Sequence, residues 1–308
     1  MRRHALVAAL VAGGVASAGA TTAPTGSILY ADRANDDWEI FIVHADGTGL
    51  RILHRQPGDD GEPTWSPDGR RIAFLGHGGV FAMDANGMNA RIVIRRETTT
   101  FDWSPDGRRF AYAPWHGPVR VVDEGGRDRR VSQGASSADV AWSPDGRRVA
   151  FSNMGHELTV VGSEGSGERA LAGNAADVDW SSRGRIAFSG RLGVWVVDAD
   201  GTHRHRVARA SRVEELRWSP DGRRLAFSTF DPTSGNVTAT YVVRADGSHL
   251  HALRIPGGPA WSPDSRWVAV GRAGCSAGIW IVPAEGTAQP RHALRGCFDF
   301  GGLSWGPN

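Results

Sequence analysis

The stretch WSPDGRR occupies residues 65–71, and the same seven letters return at Trp103, Trp142 and Trp218. Its chemistry is that of a corner between two strands. Proline presets φ at the first turn position, and aspartate can bond its side chain to nearby backbone. Glycine accepts the left-handed conformation that a three-residue hairpin needs. A motif repeated this often reads as architecture, a corner one fold needs many times, rather than as a repeated active site.

Alignment on the tryptophan adds Trp180, Trp261 and Trp305, with spacings of 38, 39, 38, 38, 43 and 44 residues. Seven of the twelve tryptophans therefore share one repeat position. A strand-like run follows each motif: Ile72-Ala-Phe74, Phe110-Ala-Tyr112, Val149-Ala-Phe151, Ile186-Ala-Phe188, Leu225-Ala-Phe227 and Val268-Ala-Val270. Ile28-Leu-Tyr30 stands at the start with no tryptophan before it, and Trp305 stands at the end with no such run after it. The two halves complete each other. A third run, such as VWVVDADG at residues 194–201, ends in a glycine turn, and an arginine-bearing fourth run comes next.

Four short strands per repeat of about 40 residues predict a propeller blade. We label its strands A (bearing the tryptophan), B, C and D, from the axis outward. The expected fold is all-β: a seven-bladed β-propeller of four-stranded antiparallel blades. The ring should close by pairing the C-terminal strand with the N-terminal blade. Two copies depart from the pattern: residues 180–185 read WSSRGR, and Ser265 stands where glycine belongs. Different A–B turns are expected there, with a cost of about 1 kcal/mol for a left-handed Ser265.

The motif W-S-P-D-G-R-x-I-A-F, followed by a strand ending in D-A-D-G, resembles the TolB-type propeller repeats over residues 28–305. The resemblance implies a propeller alone, without TolB's N-terminal α/β domain, and with seven blades against TolB's usual six. It implies little about activity, because the fold hosts scaffolds and enzymes alike.

Residues 1–20, MRRHALVAALVAGGVASAGA, have the layout of a secretory signal peptide: two arginines, an apolar stretch and small residues suited to cleavage after Ala18 or Ala20. Residues 21–308 are then expected to form one TolB-like propeller domain, exported to the periplasm or the extracellular space. Cleavage takes the formal charge from +2 to zero, which argues against nucleic acid as a partner. No other segment has the length of a membrane span. A monomer without a cofactor is expected. All 35 basic residues are arginines, from which no function is drawn.

Chain direction puts the A–B and C–D turns on one face and the B–C and D–A connections on the other. Cys275 and Cys297 fall in the B–C and D–A segments of one repeat unit, and a disulfide is expected in an exported chain. His77, His116 and His156 follow the B strands of three consecutive blades. Their placement resembles the manganese site of oligogalacturonate lyases, seven-bladed relatives, and so implies a metal-dependent carbohydrate lyase or hydrolase as an alternative. Arg191, Phe230 and Asp231 occupy the comparable loops of the next two blades, and Trp115 adds an aromatic. Together these residues form a candidate ligand rim. Acidic segments at 32–37 and 57–62 face the same way and suit calcium or a basic partner. The sequence 302–306 fits G-x-S-x-G, but a nucleophile elbow needs a following helix and a later histidine, so Ser304 is read as a repeat residue. The leading expectation is a non-catalytic scaffold that binds an envelope or extracellular protein, or a glycan, through the B–C/D–A face.

Overall fold

The computed structural model describes residues 23–307, apart from 35–36, 56–57, 59, 116, 234–235 and 300. The signal-peptide reading and His116 lie outside the described residues. The chain forms a seven-bladed β-propeller of four-stranded antiparallel blades. We number the blades 1 to 7 by their tryptophans, from Trp65 to Trp305. One strand, Asp128–Trp142, is both strand D of blade 2 and strand A of blade 3, so these two blades share a seven-stranded sheet.

The ring closes as the sequence implies. Strand Leu303–Gly306 pairs antiparallel with Ser27–Ala34, in the register Ile28↔Trp305 and Tyr30↔Leu303. Blade 7 is thus built from both ends of the described chain.

The core lies between blades rather than within them. Ala111, Ala113 and Val121 of blade 2 pack with Trp142, Val149 and Phe151 of blade 3 in one buried cluster. The B-strand aromatics Phe74, Phe151, Phe188 and Phe227 are all essentially buried, each contributing about 2–3 kcal/mol of hydrophobic stabilisation.

The repeated corner is held by one hydrogen-bond set. At the first copy the Ser66 hydroxyl donates to Asp68 Oδ1 (2.7 Å), and the Arg71 N–H donates to Ser66 Oγ (2.9 Å). The Arg70 N–H donates to Asp68 Oδ1 (3.1 Å), and Gly69 is left-handed at φ 68°. The Ser66 hydrogen bond holds the Asp68 carboxyl below its ordinary value. The shortened copy does turn differently: Ser181 N–H bonds the Arg185 carbonyl four residues on, where Ser66 N–H bonds Arg71 five residues on. The Ser265 copy does not. Ser265 sits at φ 61° and keeps the same bonds, Ser265 N–H to Ser262 O (2.8 Å) and Ser262 Oγ to Asp264 (2.6 Å). Its hydroxyl also accepts the Asp221 N–H of the preceding blade (3.0 Å), offsetting the left-handed cost.

The second arginine of the motif has a partner in the next blade. Arg71 lies over Trp103 (5.1 Å), Arg109 over Trp142 (4.7 Å), Arg148 over Trp180 (5.3 Å), Arg185 over Trp218 (5.5 Å) and Arg224 over Trp261 (5.5 Å). Several also donate to the next turn's carbonyl, as Arg109 does to Gly146 O (3.0 Å) and Arg224 to Ser265 O (2.6 Å). These five copies of the motif therefore fasten their blades to the following ones.

Candidate functional site

Strand A runs from the B–C/D–A face toward the A–B corners. Its tryptophan packs between blades, so residues one and three positions earlier fall on the other side of the strand. In blades 1 to 5 these positions carry Glu62, Asp102, Asp139, Asp177, Asp179, Glu215 and Arg217. Six carboxylates and one guanidinium thus come together in the middle of the ring. Arg217 reaches across blade 4 to Asp139 of blade 3 (Nη1 to Oδ2, 3.4 Å) and donates to the Leu216 carbonyl (3.0 Å).

The residues just before the tryptophans also latch blades together. Asp102 accepts the Trp142 backbone N–H (2.8 Å), and Asp179 accepts that of Trp218 (2.6 Å). The indole N–H groups of Trp142, Trp218 and Trp261 donate to the carbonyls of Asp102, Asp179 and Arg217, each at 3.2 Å. Ser304 holds this same repeat position, with its Oγ 3.5 Å from the Trp65 N–H. That is a latch and not a nucleophile.

Three positions before the tryptophan the side chains are freer. Glu62 and Glu215 adopt left-handed backbone, at φ 49° and 51°, where the inner strands of blades 1 and 5 bulge. A Cβ on Gly258, the same position in blade 6, would collide with the Glu215 carboxylate. On Gly302 of blade 7 it would stand 2.8 Å from Glu62 Cα. The glycines of blades 6 and 7 therefore make room for the glutamate side chains of the adjacent blades 5 and 1.

Burial pushes the Asp102 and Glu215 carboxyls up to about 7, and those of Asp177 and Asp179 up to about 6. Glu62 is raised by burial as well. Desolvation works against the charge on Arg217, but Asp139, Asp179, Glu215 and Glu62 more than offset it and hold its pKa above the ordinary value. These groups are ringed by protein yet touch channel water: the Arg217 side chain keeps 43% of its surface accessible.

The residues singled out from the sequence lie farther out, on the B–C turns. His77, His156 and Arg191 are exposed on three of these turns. Among the described residues no group of three or more His, Cys, Asp or Glu side chains is placed to hold a metal ion. The His156 carbonyl accepts the Ala175 N–H of the next blade (2.7 Å). Phe230 lines a cavity of about 260 Å³ with Arg209, Thr229, Tyr241 and Leu250. Asp231 accepts the Thr233 N–H (3.0 Å) within its own turn. Arg191 lines a second cavity of about 170 Å³, where the Arg204 guanidinium lies 4.8 Å from the Trp195 ring centroid. Backbone register sets Cys275 opposite Cys297. Trp115, Met154 and Leu192 are 64%, 68% and 64% exposed, on the B–C turns of consecutive blades 2, 3 and 4.

Fold and site together define a repeat propeller with a charged central channel. The chain belongs to the TolB beta propeller domain family, whose sequence profile matches residues 11–186. Among solved structures it is similar to TolB from Acinetobacter baumannii, at 16% identity and a TM-score of 0.62, over 92% of this chain and 67% of that one. It is also similar to an oligogalacturonate lyase from Vibrio parahaemolyticus, at 11% identity and a TM-score of 0.61, over 87% and 84%. An oligogalacturonate lyase in complex with manganese gives 12% identity and a TM-score of 0.63, over 89% and 86%. At these identities the likeness is one of fold. No curated protein matches the chain. Among the described residues no helix is long and apolar enough to cross a membrane.

Proposed function

We propose that this protein is an exported, non-catalytic scaffold that binds an envelope or extracellular protein through the face formed by its B–C and D–A connections. The observation that supports this reading most directly is the row of exposed apolar side chains, Trp115, Met154 and Leu192, on one face of three consecutive blades. Large apolar groups exposed on consecutive turns favour a protein partner. His77, His156, Arg191, Phe230 and Asp231 would supply a polar and aromatic rim around them, and a Cys275–Cys297 disulfide would pin the neighbouring loop of blade 6.

Photocrosslinking from position 192 in intact cells tests the reading, with position 88 on the opposite face as control. A discrete adduct from 192 that is absent from 88 is expected; identical patterns from both positions would remove the assignment of the face. A divalent ion retained by the purified protein, and lost in both His77→Ala and His156→Ala, would shift the assignment to the metal-dependent lyase.

A further inference from the structure

We propose that the part of the protein partner reaching the channel mouth is cationic, a lysine- or arginine-bearing tip flanked by apolar residues. The inference rests on the face assigned above and adds the chemistry of what binds there. Strand A begins at that face, so the residues three positions before the tryptophans stand nearest the mouth. Glu62, Asp139, Asp177 and Glu215 hold this position in blades 1, 3, 4 and 5. The one cation among them, Arg217, is directed at Asp139 and leaves an excess of negative charge. The Glu215 and Glu62 side chains lie over Gly258 and Gly302, so the acidic lining extends round to blades 6 and 7.

The exposed apolar row sits on blades 2, 3 and 4, above the sector that carries Asp139 and Asp177. A partner surface matching both features has apolar residues on Met154, Leu192 and Trp115 and a positive side chain extending inward. Arg191 and Arg212, on a B–C turn and a D–A connection, are themselves positive and exposed. They confine the acidic character to the channel, so the partner's charge must sit at its tip rather than over its whole surface. Charge complementarity of this kind gives specificity and a fast, salt-sensitive encounter.

The test uses the full chain and two labelled synthetic peptides, one alternating leucine with lysine and one alternating leucine with glutamate. Fluorescence anisotropy reads the binding of each. The Leu/Lys peptide is expected to bind with an affinity that falls steeply with salt, and the Leu/Glu peptide far more weakly. The variant Asp139→Asn/Asp177→Asn/Glu215→Gln should lose at least tenfold, and Met154→Asp/Leu192→Asp a similar amount. If the triple variant does not fold, the single Asp177→Asn carries the test at lower amplitude, because its amide oxygen can still accept from the Ser189 hydroxyl. Equal binding of the two peptides overturns the inference, as does an unchanged affinity in the neutralised variant. If only Met154→Asp/Leu192→Asp weakens binding, the face stands and the cationic tip falls; if neither set matters, both fall.

Discussion

The paired arginines that close each WSPDGRR motif should be energetically unequal, and blade 2 offers the cleanest comparison. Arg109 stacks over Trp142 at 4.7 Å and donates to the Gly146 carbonyl at 3.0 Å, both in blade 3. Its neighbour Arg108 is exposed. In Arg109→Ala a partly desolvated cation–π contact worth about 1–2 kcal/mol is lost. A charge-assisted hydrogen bond worth about 1.5 kcal/mol goes with it. Freed side-chain entropy returns up to about 2 kcal/mol, so the net loss is about 1–2 kcal/mol. For a protein of this size that lowers Tm by about 2–3 °C. Arg108→Ala should stay within about 0.5 kcal/mol of the parent. Arg109→Lys should fall between the two, because an ammonium keeps the charge but loses the planar stack. Thermal unfolding by circular dichroism reads all three. Equal losses in Arg108→Ala and Arg109→Ala would refute the assignment of the second arginine as the fastener between blades.

Three further outcomes are expected. Deleting residues 302–308 removes the strand that pairs Trp305 with Ile28 and should open the ring; an unchanged melting temperature in the truncated protein would contradict this closure. The carboxylates at Asp102, Asp177, Asp179 and Glu215 are raised, so the folded chain holds protons that the unfolded chain releases between about pH 4 and 7. Stability should therefore fall as pH rises through that window and level off above about 7, and Glu215→Gln should flatten the fall; a Tm that climbs steadily from pH 5 to 8 contradicts the buried acidic channel. Under oxidising conditions, reductant or Cys275→Ser should cost about 3 kcal/mol, the scale for a disulfide closing a loop of this length, and mass spectrometry would show directly whether the thiols are blocked.

How much of this the sequence disclosed depends on which side of one strand a residue faces. Tryptophans and B-strand aromatics fill wedges of similar shape around the ring, so Trp65, Trp103 and Trp142 recur at one repeat position and reveal the fold. The channel residues lie on the opposite side of the same strands, one and three positions before each tryptophan. There the ring imposes no common packing, and the residues read Glu, Thr, Asp, Asp, Glu, Gly, Gly at the outer of the two positions. Alignment on the tryptophan rewards sameness and passes over this variable column. A signal was available in the parity of strand A: Asp177, Asp179, Glu215 and Arg217 alternate with core residues in blades 4 and 5. The histidines stood out for the opposite reason, as conspicuous residue types on loops whose geometry repeat spacing does not fix.

The same column explains why the ring is uneven in strength as well as in charge. Arginine fastens five successive blade interfaces, from Arg71 over Trp103 to Arg224 over Trp261. The position is Trp267 in blade 6 and Ser27 in blade 7, so the two interfaces flanking blade 7 lack that fastener. Blade 7 is also the blade assembled from both ends of the described chain. Its closure then rests on strand pairing, on the Arg291 guanidinium of blade 6, which donates to the Ala45 carbonyl at 3.3 Å, and on the Trp305 indole, which donates to the Thr25 carbonyl at 3.0 Å. Blades 6 and 7 are also those that place Gly258 and Gly302 at the channel mouth. The acidic wall therefore stands on the firmly joined blades 1 to 5, where carboxylate positions are held by their neighbours.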